Sequence, residues 1–147
     1  MKPITYTILF ASAIICFIAC KKSSTPPVPG FNATINGNKW VATTYEAALQ
    51  TDTNTGLTAI SITGFSIVSG LGKSINLHIN NYKSGTFTIS KGGSSTASYG
   101  YGPQVDNANS GSVTLSYITD STVSGTFSFV ADSIKVTAGS FTSVRIH

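Results

Sequence analysis

From residue 31 onward, apolar and polar residues alternate in short runs. In LTAISITG, Ile60 and Ile62 alternate with Ser61 and Thr63; in the run from Lys73, Ile75, Leu77 and Ile79 alternate with Ser74, Asn76 and His78. A period of two turns one face of each segment inward and the other outward, as in a half-buried β-strand. The same alternation covers residues 86–90, with Phe87 and Ile89 inward; 113–117, with Val113, Leu115 and Tyr117 on one face; and 123–130, with Phe127 and Phe129 on one side. Residues 134–137 and 140–146, separated by Ala138-Gly139, complete the set.

Turn chemistry separates these runs. Asn36-Gly37-Asn38 stands between 31–35 and 39–43, and an Asn-Gly step predicts a hairpin because both central positions accept positive φ. SGLG at 69–72 and the stretch 80–85 predict two further turns. YEAALQ at 45–50 has helical composition but is too short to be a stable helix alone, so it reads as strand continuation. KGGSSTASYGY at 91–101 reads as a loop or a poorly packed edge strand, and PQVDNANSG at 103–111 as a long connection. About eight or nine short strands with turns every 8 to 12 residues or so predict an all-β fold, an antiparallel β-sandwich or flattened barrel.

The N-terminal segment breaks the pattern. Residues 8–19 are apolar apart from Ser12, with Lys2 ahead and Ala19 last, and fall short of the roughly 20 apolar residues of a membrane-spanning helix. Cys20 follows directly. Phe17-Ile18-Ala19-Cys20 therefore predicts a lipoprotein signal peptide over 1–19, cleaved before Cys20, which would carry acyl chains such as palmitate. Lys21 to Gly30 (KKSSTPPVPG) reads as an extended, proline-stiffened spacer, which leaves 31–147 as a single β-domain. Cys16, the other cysteine, would leave with the signal, so the mature chain would hold no disulfide or thiol pair.

Charge narrows the partners. The chain carries 9 Lys+Arg against 5 Asp+Glu, but Lys2, Lys21 and Lys22 precede the domain, which is left nearly neutral. That argues against nucleic acid and places the two spacer lysines at lipid headgroups, each contributing about 1 kcal/mol near an anionic surface.

Motifs with chemical content are few. GLGKS at 70–74 resembles the end of a phosphate-binding loop, but Ile67 stands where the first glycine would be and a strand follows instead of a helix. DTNTG at 52–56 and DNANSG at 106–111 each bring one carboxylate and lack the distal acid of a calcium loop, so Asx-turns suffice. His78 and His147 are isolated, and no Gly-x-Ser-x-Gly elbow surrounds any serine. Neither a metal nor a cofactor is expected, and the domain reads as non-catalytic. Asp106, Asp120 and Asp132 are the acids a glycan hydrolase would draw on. Asp120-Ser121-Thr122 and Asp132-Ser133-Ile134 have the form of O-glycosylation acceptors, though Asp-Ser is also ordinary turn chemistry. Tyr99 and Tyr101, flanking Gly100, are candidate binding residues as an aromatic platform for a sugar ring or a partner's side chain; alternatively they cover the open end of the core. Trp40 and Tyr82 are lesser candidates.

The opening FNATINGNKW, with VSGTFSF and VTAGSFTSVRIH near the end, resembles small Bacteroidetes lipoproteins that carry a domain of unknown function. These share aromatic-x-Ala-x-x-Asn-Gly-x-x-Trp and a closing pair of Gly-x-Phe motifs. The resemblance implies an exported, lipid-anchored β-domain without established activity and supplies no catalytic residues. Some lipoproteins of that group reach the cell surface through acidic residues after the lipidated cysteine. Lys21, Lys22, Ser23 and Ser24 stand there instead, which favours an outer-membrane anchor facing the periplasm. The expected role is a membrane-anchored envelope protein that binds a glycan or another envelope protein. A lipocalin-like carrier of a small apolar ligand is the alternative, and a glycan hydrolase a more distant one.

Overall fold

The computed structural model describes residues 28–147. The expected signal peptide, Cys20 and the spacer up to residue 27 lie outside these residues. The described chain is all-β, with eleven strands in two antiparallel sheets that form a sandwich. β1 (Gly30–Ile35), β2 (Asn38–Val41), β6 (Gly85–Ser90), β9 (Ser110–Ile118), β10 (Thr122–Ala131) and β11 (Ile134–Arg145) make a six-stranded sheet in the order β2-β1-β11-β10-β9-β6. β3 (Thr44–Thr51), β4 (Thr58–Val68), β5 (Leu71–Ile79), β7 (Thr96–Tyr101) and β8 (Gln104–Asn107) make the other, in the order β3-β4-β5-β7-β8.

The Asn-Gly hairpin forms as expected, with Asn36 at φ 47° and Gly37 at φ 82° joining β1 to β2. Ser69 and Gly70 take the same left-handed conformations between β4 and β5, so the turn is two residues long and Leu71-Gly72 already belongs to a strand. YEAALQ is strand, within β3.

Three expectations are corrected. Residues 91–101 are not an edge or a loop throughout: β7 lies inside its sheet, paired to β5 on one side and β8 on the other. Residues 103–111 are not an open connection but contain β8, and these two strands raise the count above nine. Ala138-Gly139 does not divide the last segment. It is a bulge in β11, where Ala138 at φ 47° absorbs an extra residue opposite β10. Another shift of register, between Ser124↔Tyr117 and Gly125↔Leu115, turns Tyr117 away from the core face of Val113 and Leu115 and leaves it 61% exposed.

The motif residues at the two ends of the chain meet in the core. Gly125-Thr126-Phe127 on β10 and Gly139-Ser140-Phe141 on β11 pair antiparallel, so that Gly125 faces Phe141 and Phe127 faces Gly139. Each ring occupies the space a Cβ on the opposing glycine would need. A methyl group on Gly139 would stand 2.5 Å from the Phe127 ring, and one on Gly125 would meet the Phe141 ring at the same distance and collide with the Thr114 carbonyl. Phe31, from β1, reaches across to the other sheet and covers Gly64 in the same way. Phe31 stacks with Phe127 and Phe141 at centroid distances of 5.2 and 6.2 Å, and Trp40 meets Phe31 edge-on at 5.9 Å. Such aromatic pairs each contribute about 0.5–1.5 kcal/mol beyond the area they bury. Trp40 lies opposite the small Ala33 on β1, and its indole N–H donates to the buried Ser66 hydroxyl on β4 at 2.6 Å.

The sheets are stitched at their corners by successive amides that bond in opposite directions. Ala42 N–H donates to Phe31 in one sheet, and Thr43 N–H to Phe65 in the other. Ala108 N–H donates to Ala97 and Asn109 N–H to Val130, again one in each sheet. Beside the first corner the chain end closes onto β3, with His147 N–H donating to Ala47.

Gly125→Ala and Gly139→Ala are expected to destabilise the domain by about 1–3 kcal/mol or more, the range for overpacking a filled core. Gly30→Ala, with nothing within 4 Å of its would-be methyl, stays within about 0.5 kcal/mol. Chemical denaturation midpoints of the three variants check this.

Candidate functional site

Strand parity decides where the candidate aromatics point. Ala97, Tyr99 and Tyr101 share the inward face of β7; the first two are buried, whereas Tyr101 lies beyond the end of the core and is 38% exposed. The two tyrosines therefore sit on a strand, not on a loop, in the arrangement that covers the end of the core. Lys73 is the cross-strand partner of Tyr101 and shares the inward face of β5 with Ile75, Leu77 and Ile79. Its Nζ stands 5.4 Å from the Tyr101 ring centroid, a cation–π contact.

At this end the sheets part around a cavity of about 290 Å³. Ile35, Asn36, Asn38, Lys39, Trp40 and Ile134 line it from the six-stranded sheet, and Val68, Lys73 and Tyr99 from the other. The floor is apolar and aromatic. The lining residues with polar side chains are Lys39, Lys73, Asn36, Asn38 and Tyr99, with no acid among them; Lys39 alternates with the inward Trp40 on β2 and borders the cavity from the strand's outer side. Asn36 Oδ1 already accepts from Lys135 N–H at 2.7 Å, and Asn38 Nδ2 donates to the Asn36 carbonyl at 3.3 Å, which leaves the Asn36 amide N–H₂ and the Asn38 amide oxygen free for a ligand. No fully buried side-chain nitrogen or oxygen among the described residues lacks a partner. The Tyr99 hydroxyl has no hydrogen-bond partner among the described residues, at a side chain that is 6% exposed. Burial foremost, then the neighbouring Tyr101 and Asp106, raises the Tyr99 pKa above the usual phenol value.

Tyr82 is at a different place. Its backbone N–H donates to Thr58 in the five-stranded sheet, and its hydroxyl reaches the carbonyl of Thr119, in the turn between β9 and β10 of the other sheet, at 3.5 Å. It braces the sheets where β5 hands over to β6. Burial, then the charge of Asp120, raises its pKa.

A larger concavity, about 530 Å³, is elsewhere, beneath the loop 52–57 and beside His78 and Asn80. Its lining is polar, but the loop spends its acid on itself. Asp52 Oδ1 accepts from Asn54 and Thr55 N–H at 2.7 and 3.2 Å, the expected Asx-turn, and these bonds lower the Asp52 pKa. His78 Nδ1 and Ser61 Oγ lie 3.1 Å apart as direct cross-strand partners on the outward face. A nucleophile–base pair of the Ser-His-Asp kind uses Nε2 toward the serine and Nδ1 toward the acid, the reverse of this arrangement. Of the hydrolase candidates, Asp120 and Asp132 do not converge: they flank β10, whose ten residues span roughly 30 Å, whereas paired glycosidase carboxylates stand about 5–10 Å apart. The segment 106–111 is strand and crossover, and Asp132 accepts from Asn109 Nδ2 at 3.0 Å. Among the described residues no three His, Cys, Asp or Glu side chains are grouped to hold a metal ion.

Lys39, Lys73, Asn36 and Asn38 join the cavity without having been singled out from sequence. Lys73 carried a signal: it is a charged residue at an inward position of an alternating strand. The others depend on the pairing of distant turns.

Tyr99 and Tyr82 set the alkaline limit of stability. A phenol whose folded pKa exceeds its unfolded value of about 10 contributes fully below that pH, and the contribution is lost as pH rises through the folded value. Denaturation midpoints should therefore fall above about pH 10, and fall less steeply in Tyr99→Phe.

Neither a curated protein nor a solved structure matches the chain. Residues 28–145 match the family described as Domain of unknown function (DUF6252), which covers nearly all of the described structure. The chain belongs to the DUF6252 family.

Proposed function

We propose that this protein is a lipid-tethered component of the cell envelope whose β-domain is a non-catalytic binding module, with the cavity between Lys39 and Lys73 as its ligand site. The observation that carries the binding assignment is the cavity itself. Trp40 and Tyr99, both candidates from sequence, meet there with two lysines that face no lining acid. A charged and aromatic lining at an open end is costly to retain for stability alone, because Lys73 takes up an inward position that an apolar residue would fill better. The core weighs against the carrier alternative. A lipocalin-like calyx needs a hollow interior, and the middle of this sandwich is filled by Phe31, Phe127, Phe129 and Phe141.

Anchoring rests on Phe17-Ile18-Ala19-Cys20 and the spacer that follows. A lipoprotein's two or three acyl chains hold durably where one chain holds marginally.

Two measurements test the proposal. Cys20→Ala should abolish incorporation of a labelled palmitate analogue and release the protein from the membrane fraction; labelling that persists removes Cys20 as the anchor. Trp40 is the sole tryptophan, so its fluorescence reports on the cavity directly. A panel of envelope glycans and purified envelope proteins should contain a ligand that changes it saturably, and a panel without effect on Trp40 counts against the site.

A further inference from the structure

The cavity's chemistry restricts what it can take, and this inference rests on the cavity being the binding site. A volume of about 290 Å³ suits one monosaccharide-sized ring, not an extended lipid or a protein side. Its base is apolar, with Val68 and Ile134 beside the buried Ile35 and Trp40, and offers the C–H face of a pyranose a surface to pack against. The amides of Asn36 and Asn38 and the Tyr99 hydroxyl, which have bonding capacity left over among the described residues, match ring hydroxyls as donors and acceptors. Lys39 and Lys73 then supply two positive charges with no lining carboxylate to answer them.

We propose that the cavity binds a sugar residue bearing a carboxylate, a uronic acid at the end of a glycan, with the carboxylate held by Lys39 and Lys73 and the ring against Val68 and Ile134. Charge-assisted hydrogen bonds from an ammonium to a carboxylate are about twice as strong as neutral ones, so the acid group contributes most of the discrimination. The other charges near the site are consistent with this. Asp106, on β8, is the cross-strand partner of Tyr99 and shares its face one strand further out, without lining the cavity. It opposes an anionic ligand at short range, and its removal should tighten binding. The Lys73 ammonium is steadied over the Tyr101 ring, which orders the side chain before the ligand arrives.

The test is a titration of the full-length protein in detergent with oligosaccharides of glucuronic and galacturonic acid, read by Trp40 fluorescence. Their neutral counterparts, glucose and galactose oligosaccharides, and free acetate serve as controls. Uronic acids should bind about tenfold or more tightly than the neutral sugars, as expected when a charge-assisted hydrogen bond is gained, and the difference should shrink as salt is raised. Lys73→Gln and Lys39→Gln should each weaken uronic acid binding about tenfold and leave neutral sugars unaffected, whereas Asp106→Asn should strengthen it. The opposed signs of the lysine and aspartate variants separate a charge effect from damage to the fold.

Equal affinity for acidic and neutral sugars, or acetate binding as tightly as uronic acids, overturns the proposal for an acidic sugar. If uronic acids fail but another envelope ligand changes Trp40 saturably, the ligand class falls while the cavity stands as a binding site. If no ligand of any class perturbs Trp40, both fall together.

Discussion

Most of this structure depends on one reciprocal contact, the exchange of glycine for phenylalanine between the two Gly-x-Phe segments. Because β10 and β11 are antiparallel, Gly125 and Phe127 on one strand fall opposite Phe141 and Gly139 on the other, and each ring lies flat over a site where any side chain would collide. A glycine in a strand interior is weak by itself. Here it admits a large ring at close range and so lets Phe31 reach over from β1 to stack on both phenylalanines and cover Gly64 in the facing sheet. The register of β10 and β11 is thereby locked, since a slip of one residue would turn the rings to the other face and a slip of two would set Phe127 against Phe141 or Gly125 against Gly139.

From that locked pair the architecture extends outward to corners, which are settled by hydrogen bonds instead of packing. Ala42-Thr43 and Ala108-Asn109 each hand one amide to one sheet and the next amide to the other. The arrangement is intermediate between an open sandwich and a flattened barrel. The sheets stay distinct, but the chain crosses between them without leaving backbone donors unpaired at the bend, which a buried corner requires. With an aromatic cluster in the middle and stitched corners at the sides, the space left between the sheets is at the end, where Lys39, Lys73, Trp40 and Tyr99 stand.

Much of this was legible in the sequence, and the failures share a cause. Period-two alternation located the long strands, and Asn36-Gly37 located a hairpin, because both signals are local. Residues 91–111 were misjudged because glycine and serine lower strand propensity. What makes β7 an inner strand is its placement between β5 and β8, where Ala97 and Tyr99 are buried by tertiary contacts that propensity does not contain. Ala138-Gly139 looked like a turn because a left-handed residue followed by glycine serves turns and bulges equally. Tyr117 was placed inward by parity, and a shift of register upstream reversed it. For the site, Trp40 and Tyr99 were found as aromatics beside turn residues, while Lys39 and Asn38 were not, because the β1–β2 turn meets the β4–β5 turn only in the folded chain.

The course of β1 gives the molecule a direction. Gly30, where the chain enters the domain, pairs with Thr142, while Ile35 at the other end of the same strand opens onto the cavity. They are the two ends of a six-residue strand, roughly 17 Å apart. On the proposed anchoring, the tether therefore joins the domain at the pole opposite the cavity, and the site opens away from its own point of attachment.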